Sequence, residues 1–480
     1  MTRRQRWRII APLGVCAFLT LWIALSAANA RAAGYSMLVY AAANLIVYTD
    51  AIDFALRLFM RRRHRATMLA QSDPGDLSLD ILGALPEGVR QLVPVRPYAI
   101  IASIYNLQGQ LEQFTQAWAP WRDRMWLISD GSTDRTVARL RQSGWRCFDD
   151  GVNRKKPGAI RRLLETLPPH IETVMVIDPD IRIRSRHEGS TVDLERTIAD
   201  FQRSGAAAAC PRIMIEPDGF LARFQSFEYA LAFRVGRASL ANYSITSGVS
   251  IYRRDALESA LAEHSMSVYA EDYENAMILL SRGETIYYDG RLVVSTEGPG
   301  KLTRWFSQRV GWYHGLLRVY WTRFGEVWKV SRRSPFAFYH FIVYVGGLSL
   351  GLHLVKMVSA TLLVISLFSG FDQLLVSHVL PENSLTNPGY FVSAIGSYLA
   401  LGVVALFTVV PKAERAYAAP IVPLYLFYAL VHIVPMTVGF VNWVTLQFIG
   451  RRIYRDHYES DANLRAARRQ ASRTLPEKAA

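Results

Sequence analysis

The stretch Thr173–Asp180 reads TVMVIDPD, an apolar run followed by two aspartates on either side of a proline. The apolar run predicts a strand buried on both faces, as the strands of parallel sheets are. Residues two apart on an extended chain share a face, so Asp178 and Asp180 can reach one hard cation while Pro179 holds the turn. A solvated Asp-Pro-Asp turn is the alternative for this stretch alone.

Strand and helix alternate from Tyr98 up to this stretch. The segments are YAIIASIY as a strand, QLEQFTQAWAPW as a helix, RMWLISD as a strand, STDRTVARLRQSG as a helix and TVMVID as a strand. Such alternation predicts an α/β domain with a mostly parallel sheet covered on both faces. Ligands of such sheets bind beyond the carboxyl ends of the strands, which is where the carboxylates of this sequence fall.

The motif SDGSTD, Ser129–Asp134, lies at the end of the preceding strand. Ser132 or Thr133 can cap the following helix, and Asp134 favours its first turn. Capping does not explain Asp130, which ends the strand and can accept hydrogen bonds from a nucleobase or a ribose. Together with TVMVIDPD, the motif predicts a nucleotide-diphosphate site. Mg²⁺ or Mn²⁺ is the expected metal, because oxygen ligands with open positions suit a cation that also holds phosphates.

Apolar runs lie on both sides of this region. Ile9–Ala28 carries no charge and is long enough to cross a bilayer, although the small residues that follow also fit a cleaved signal peptide. The second run, Ser36–Phe59, carries two aspartates. The C-terminal runs are Phe336–Phe371, Tyr390–Val410 and Ile421–Ile449.

The formal net charge of +15 at pH 7 comes largely from arginines at the edges of the apolar runs. Cationic flanks stay in the cytoplasm, so the α/β domain is expected there, in a multi-pass protein of a bacterial-type inner membrane. Roughly six crossings, about four of them C-terminal, satisfy this rule. Nucleic acid is not an expected partner, because no zinc-finger or RNA-binding motif occurs. Cys16, Cys147 and Cys210 lie far apart and imply neither a disulfide framework nor a zinc site.

The composition divides the chain into successive parts. The mixture of Trp, Tyr and Arg after residue 300 is typical of helices that lie at a membrane interface. The predicted parts are two N-terminal transmembrane helices (1–65), a linker (66–97), a cytoplasmic α/β domain (98–300), amphipathic interfacial helices (301–335), C-terminal transmembrane helices (336–450) and a basic cytoplasmic tail (451–480).

In their order along the chain, these motifs resemble those of the family 2 inverting glycosyltransferases, in particular the membrane-integrated processive synthases of cellulose, chitin and hyaluronan. The resemblance covers roughly Tyr98–Gly315 and implies an α/β GT-A domain embedded between α-helical transmembrane segments. It implies sugar transfer with inversion from a nucleotide-diphosphate donor, with UDP-sugars favoured, to a growing β-linked polysaccharide. It also implies Mg²⁺ or Mn²⁺, the lipid bilayer, polymer export through the chain's own membrane segments, and accessory secretion or regulatory subunits.

The resemblance assigns the donor side of the site to residues at strand ends. Tyr105 and Asn106 match the first-strand motif that touches the nucleotide, Asp130 the acid of the uracil-binding turn, and Lys156 in RKKPGAI the lysine loop. Asp178 and Asp180 match the metal-binding DxD motif, with Asp178 also on the nucleotide.

The resemblance assigns the acceptor side to two later motifs. Ser247 and Gly248 in SGVSIYRR match the glycine turn near the acceptor. In AEDYENA, Asp272 matches the catalytic base and Glu271 its neighbour. Inversion needs one general base to take the proton of the acceptor hydroxyl, which fits a single aspartate. The alternative is structural, since both acids are also favourable in the first turn of a helix.

SQRVGWYHG matches the QxxRW motif of the processive synthases only in part. Gln308 and Trp312 keep their places, but Gly311 stands where the motif has arginine. Arg309 points about 200° away from position 311 on a helix, so an unaltered helix does not let it substitute. Arg304 and Lys301 are the other candidates for that contact.

The departure at Gly311 keeps other functions open. One is a non-processive transferase that adds a single sugar to a membrane lipid or a lipid-linked oligosaccharide. Another is an inactive transferase-like scaffold or transporter. For Trp312 itself, the alternative to an acceptor contact is an aromatic belt with Trp305 and Trp321 that anchors an interfacial helix.

Overall fold

The computed structural model describes residues 45–71, 95–184, 192–267, 269–351, 353, 355–357 and 388–454. The predicted span Ile9–Ala28, most of the predicted linker and nearly all of the predicted tail lie outside these residues. The chain divides into two compact units. The helical unit comprises Met1–Gln71, Pro217–Ser239 and Ser334–Thr437, and the sheet unit comprises Ser72–Glu216, Leu240–Arg333 and Val438–Ala480.

In the described part of the sheet unit, eight strands form one sheet in the order β3-β2-β1-β4-β7-β6-β8-β5. The strands are β1 (Tyr98–Ile104), β2 (Met125–Ser129), β3 (Cys147–Phe148), β4 (Thr173–Ile177), β5 (Arg182–Arg184), β6 (Ala208–Ile215), β7 (Ser250–Arg253) and β8 (Ile286–Thr296).

Most neighbouring strands of this sheet run in the same direction. Strand β1 pairs in parallel with β2 and β4, β2 with β3, and β6 with β8. Strand β7 runs antiparallel to β4 and β6, and β5 runs antiparallel to β8. The predicted α/β domain is therefore confirmed, but its sheet is mixed, because β5 and β7 run against the other strands and the alternation of segments did not predict them.

Helices occur in both units. In chain order they are α1 (Leu45–Gln71), α2 (Leu111–Trp118), α3 (Thr136–Gln142), α4 (Lys155–Leu164), α5 (Val192–Ser204), α6 (Phe220–Leu231), α7 (Arg254–Glu263), α8 (Glu271–Ser281), α9 (Leu302–Thr322), α10 (Phe324–Ser331), α11 (Pro335–Phe338), α12 (Pro388–Thr408), α13 (Arg415–Ala418) and α14 (Tyr425–Ile449). Two π-helical segments, Ala232–Arg237 and Tyr339–Gly351, follow α6 and α11.

The core of the sheet unit lies around β1 and β4. Ile100 and Ile101 of β1 are fully buried, and every residue of β4 is buried. Burying one such isoleucine side chain contributes about 1.5–3 kcal/mol. Burial on both faces is what the apolar run TVMVI predicts, and it leaves only the strand ends for polar side chains.

A buried tryptophan supports the turn that follows β4. The side chain of Trp118, at the end of α2, is fully buried, and its Nε1–H donates a hydrogen bond of 2.9 Å to the carbonyl of Ile181. The amide of Ile181 in turn donates to the carbonyl of Asp178 over 3.1 Å. The Asp178–Ile181 turn is thus fixed from its core side.

In the helical unit, α1 continues to Gln71, past the predicted start of the linker at residue 66. Its buried Arg57 forms an ion pair of 2.7 Å with Asp53, one turn earlier. Arg57 also lies 2.9 Å from Nδ1 of His340, and the hydroxyl of Tyr339 donates to Asp53 over 3.0 Å. The charges of the second apolar run are therefore paired and hydrogen-bonded, as burial requires.

Among the described residues, one helical stretch is long and apolar enough to cross a membrane, Lys412–Ile449. Two shorter apolar helices are Pro335–Gly351 and Ile395–Thr408. A single helix of this kind also occurs in the cores of soluble proteins, so the multi-pass arrangement stays a prediction.

Candidate active site

The carboxyl ends of β1, β2 and β4 meet at one edge of the sheet, because these strands are parallel neighbours. Asn106 follows β1, Asp130 follows β2 directly, and Asp178 follows β4 directly. Tyr105, which follows β1 directly, is 40% exposed at the same edge. The structure therefore brings the predicted donor-side residues to a common edge.

The loops after β1 and β2 are hydrogen-bonded to each other. The amide of Thr133 donates to Oδ1 of Asn106 over 2.8 Å, and the amide of Asn106 donates to Oγ of Ser132 over 3.1 Å. Asn106 has a left-handed backbone, with φ +49°, which asparagine tolerates better than most residues. Ser132 and Thr133 therefore hold the first loop, and the expectation that one of them caps the next helix is wrong. The N-cap position of α3 is Arg135, and Oδ1 of Asp134 accepts from the amide of Thr136 over 3.0 Å.

Asp130 is buried and faces the loop before α4. Its Oδ1 accepts a 2.5 Å hydrogen bond from the amide of Arg154, and its carbonyl accepts from Nδ2 of Asn153 over 2.8 Å. Burial raises the pKa of Asp130, and the hydrogen bond from Arg154 opposes this rise. Gly131 has φ +73°, and a Cβ there would lie 2.9 Å from the amide nitrogen of Asn153. Glycine at this position lets the two loops approach closely.

Lys156, in the first turn of α4, connects the two acidic motifs. Its Nζ lies 2.7 Å from Oδ1 of Asp178 and 2.9 Å from Oε1 of Glu271. Burial alone would lower the pKa of Lys156, but Asp178, Glu271 and Asp272 together hold it well above the ordinary value. The ammonium group of Lys156 thus contacts both the DxD motif and the Glu-Asp motif, which are far apart in the sequence.

Gly248 makes room for the Asp178 carboxylate. A Cβ at position 248 would lie 2.0 Å from Oδ2 of Asp178, well inside van der Waals contact. The preceding Ser247 donates from its hydroxyl to the carbonyl of Val249 over 2.8 Å, and its amide donates to Oγ of Ser250 over 3.0 Å. The glycine turn therefore packs directly against the predicted metal ligand.

The DxD carboxylates have the chemistry of a divalent-metal site. Burial raises the pKa of Asp178 to about 6, the charge of Lys156 opposes the rise, and the charge of Asp180 adds to it. Asp180 accepts a hydrogen bond from the hydroxyl of Thr296. Within the described ranges, no group of three or more His, Cys, Asp or Glu side chains is placed to hold a metal. Two carboxylates suffice for Mg²⁺ or Mn²⁺ where a ligand's phosphate oxygens and water complete the shell, and such a cation would relieve the repulsion between them.

Glu271 and Asp272 are the first two residues of α8. The hydroxyl of Thr246 donates to the carbonyl of Asp272 over 2.7 Å. The residue before them, Ala270, has a left-handed backbone with φ +58°. A non-glycine residue in this conformation is strained and is held there by its surroundings. Both acids therefore occupy the first turn that the structural alternative predicts, and Glu271 also contacts Lys156.

Glu274, one turn further along α8, is a residue that sequence reasoning did not select. Its side chain is fully buried and pairs with Arg318 at 3.2 Å and Arg323 at 3.1 Å. The hydroxyl of Ser265 donates to it over 2.6 Å. A lone acid in the otherwise apolar face of YENAMILL was the available signal, because a buried charge requires partners.

The partial QxxRW motif lies on α9. Arg309 is buried, and its guanidinium lies 4.4 Å from the ring centre of Trp312 and 5.9 Å from that of Trp305. Trp312 is 38% exposed, and Gln308 is half-buried. Arg309 therefore stacks on the aromatic side chains of its own helix, as its direction on the helix predicts.

Comparisons with known proteins give similarities of limited extent. No protein-family model matches the chain. Hyaluronan synthase 1 of Xenopus tropicalis is 26% identical over 159 residues, which are 31% of this chain and 26% of that protein. The chain thus spans about a quarter of the length of this curated relative.

Solved structures with partial likeness include two sugar transferases. A mannosyltransferase from Pyrobaculum calidifontis in complex with GDP-Man and Mn²⁺ has a TM-score of 0.45 and 16% identity, over 84% of this chain and 98% of that one. Glucosyl-3-phosphoglycerate synthase from Mycobacterium tuberculosis in complex with Mg²⁺ and UDP has a TM-score of 0.32 and 15% identity, over 47% and 79%. Both TM-scores are below 0.5, so the GT-A fold that the sequence motifs imply stays a prediction.

Proposed function

We propose that this protein is a metal-assisted inverting glycosyltransferase that moves a sugar from a nucleotide-diphosphate donor to a growing polysaccharide. The observation that carries the proposal is the bridge from Lys156 to both Asp178 and Glu271. Through the ammonium group of Lys156, this bridge connects Asp178, a predicted metal ligand, to the motif that contains the predicted base. Similarity to a hyaluronan synthase, though short, points to the same class of reaction.

On the donor side, Asp130, Asn106 and Tyr105 would receive the nucleoside at the ends of β1 and β2. Asp178 and Asp180 would hold Mg²⁺ or Mn²⁺, which offsets the charge that grows on the leaving diphosphate. Lys156 carries a fixed positive charge beside them and would stabilise the same leaving group.

On the acceptor side, the carboxylate of Asp272 would take the proton of the attacking hydroxyl. The hydroxyl oxygen then forms a bond to the anomeric carbon as the bond from that carbon to the diphosphate oxygen breaks. The single displacement inverts the anomeric centre and needs no second carboxylate as a nucleophile. Glu271 is held by Lys156, while the backbone of Asp272 is held by Thr246.

Turnover of purified protein with a panel of radiolabelled sugar nucleotides tests this proposal. Transfer is expected with Mg²⁺ or Mn²⁺ and is expected to vanish with a chelator. Asp272→Asn is expected to lower kcat by about 10²–10⁴-fold, because it removes the general base. Binding of the nucleoside diphosphate with metal should persist in this variant. Full activity of Asp272→Asn would refute the assignment of the base.

A second candidate is a non-processive transferase that acts on a membrane lipid or lipid-linked oligosaccharide. The observation that favours it is the packing at Gly311, where a Cβ would lie 2.3 Å from the ring of Tyr269. No arginine side chain fits at this position, so the contact implied by the QxxRW motif has no counterpart there. Product size separates the two candidates: a polymer supports the processive synthase, and a lipid bearing one sugar supports the second.

A further inference from the structure

Helix α9 carries a notch that is filled by the side chain just before the Glu-Asp motif. The notch is formed by Gly311 and Gly315, one helical turn apart on α9. Its occupant is Tyr269, which is buried and lies three positions before Asp272. Contact between these residues links the segment that carries the proposed base to the helix that carries the partial QxxRW motif.

The fit of the ring into the notch leaves no room for side chains on α9. A Cβ at Gly311 would lie 2.3 Å from both Cε1 and Cζ of Tyr269. A Cβ at Gly315 would lie 2.7 Å from Cβ of Tyr269 and 2.8 Å from its carbonyl carbon. Ordinary carbon contacts are about 3.5–4.0 Å, so even alanine at either position displaces the tyrosine.

Polar contacts from the same face of α9 complete the attachment. Arg318 follows Gly311 and Gly315 at the spacing of one helical face. Its Nη2 donates to the carbonyl of Tyr269 over 3.1 Å, and its Nη1 lies 3.2 Å from the buried carboxylate of Glu274. Helix α9 thus contacts the chain immediately before α8 and one turn into it.

The segment between Tyr269 and Asp272 transmits the position of the ring to the proposed base. Ala270 is left-handed, and its carbonyl accepts from the amide of Glu274 over 3.0 Å, which closes the first turn of α8. A strained residue leaves little freedom for the chain to absorb a shift. Displacement of Tyr269 therefore moves Glu271 and Asp272 relative to Lys156.

We propose that Tyr269 is a positioning residue, which sets the place of Asp272 through the notch of Gly311 and Gly315. The inference rests on the proposed function, because it assigns Tyr269 a role in that reaction. Glycine is then required at position 311, because it leaves room for the ring of Tyr269, which orients Asp272.

The test compares Gly311→Ala with Gly325→Ala in the full chain. Position 325, on α10, has no atom within 4 Å of an added Cβ, so this variant is the matched control. Gly311→Ala is expected to lower kcat by about 100-fold, the effect of misplacing a reacting group by about 1 Å. The KM of the donor and the affinity for nucleoside diphosphate with metal should stay within about two-fold, since neither Gly311 nor Tyr269 is among the residues proposed to bind the donor.

Substitutions at position 269 distinguish positioning from a general loss of structure. Tyr269→Ala removes the clash along with the ring, so Gly311→Ala in that background should cause no further loss in kcat or in the unfolding temperature. Tyr269→Phe keeps the ring and should restore most of the kcat that Tyr269→Ala loses.

Two failures of this test have different meanings. If the wild-type chain transfers no sugar from any donor, the proposed function fails, and the positioning role fails with it. If the wild type is active but Gly311→Ala and Gly325→Ala have equal kcat, only the positioning role is overturned. Additive losses in the double variant Tyr269→Ala/Gly311→Ala overturn it as well, because independent sites do not share a contact.

Discussion

Gly248 is constrained by one atom of a neighbouring side chain. An added Cβ would lie 2.0 Å from Oδ2 of Asp178, and Oδ1 of the same carboxylate is held by Lys156. The carboxylate therefore cannot rotate away from a side chain at position 248 without losing its ion pair. The glycine at position 248 is therefore required by the position of the Asp178 carboxylate in the DxD motif.

Gly248→Ala is expected to weaken the binding of Mn²⁺ with nucleoside diphosphate by about ten-fold or more, the equivalent of about 1.4 kcal/mol. The cause is displacement of the Asp178 carboxylate from its position beside Asp180. Calorimetric titration of the purified protein measures the affinity. Gly300→Ala is the control, because an added Cβ at position 300 meets nothing within 4 Å. Equal affinities in the two variants would contradict the account of Gly248.

At the scale of the element, α8 is held to the chain that follows it by a buried charge. Burial would raise the pKa of Glu274, but the hydrogen bonds from Ser265 and the charges of His264 and Arg318 hold it below the ordinary value of 4.5. A depressed pKa means that the folded state favours the ionised carboxylate. This contribution to stability is present above the unfolded-state pKa and is lost as the pH falls through the folded-state pKa.

Glu274→Gln is expected to lower the free energy of unfolding at pH 7 by about 3–5 kcal/mol, because it leaves Arg318 and Arg323 without their buried partner. The deficit relative to wild type should shrink as the pH falls through the folded-state pKa of Glu274, which lies below 4.5, since the wild-type carboxylate is then protonated too. Unfolding curves at pH 7 and at lower pH measure both values. Glu258, which is exposed and pairs with Arg254, supplies the control, and Glu258→Gln should change stability by at most about 1 kcal/mol. A deficit that does not depend on pH would rule this account out.

Sequence patterns predicted the elements of the sheet unit better than the contacts between them. The strands of YAIIASIY, RMWLISD and TVMVID lie where the apolar runs place them, because hydrophobic periodicity is a local property. The reversed strands β5 and β7 depend on long-range pairing, which no local pattern encodes. The segment before α3 is hydrogen-bonded to the loop after β1, and the helix begins only at Thr136. The carboxylates were found because acidic residues at strand ends are visible in the sequence. Tyr269 and Glu274 were missed because their roles depend on α9, which follows them by tens of residues.

At the scale of the whole molecule, the two units differ in character. The sheet unit holds the candidate site, and the helical unit holds apolar helices and a buried pair of Asp53 and Arg57. A buried charge requires a partner, which Asp53 and Arg57 supply to each other. Several of the predicted crossings fall on residues outside the ranges that the structure describes, so the number of crossings stays a prediction.

Alkaline carbonate extraction of cells that express the full chain tests the membrane assignment. Several crossings bury enough apolar surface to keep the protein in the pellet, because carbonate removes peripheral proteins and leaves spanning ones in the bilayer. Detergent is expected to release it. A cytoplasmic enzyme of known solubility, expressed in parallel, should appear in the supernatant. Release of this chain by carbonate alone would exclude a multi-pass arrangement.

The anchor that Trp118 provides to the carbonyl of Ile181 bears on the thermodynamics of donor capture. Fixing the backbone of one residue costs about 1–2 kcal/mol of conformational entropy. For the turn from Asp178 to Ile181, that loss occurs when the core assembles around Trp118, before any ligand arrives. The entropy of ordering this turn therefore belongs to folding, and association with a metal and a diphosphate starts from a chain that is already immobile there.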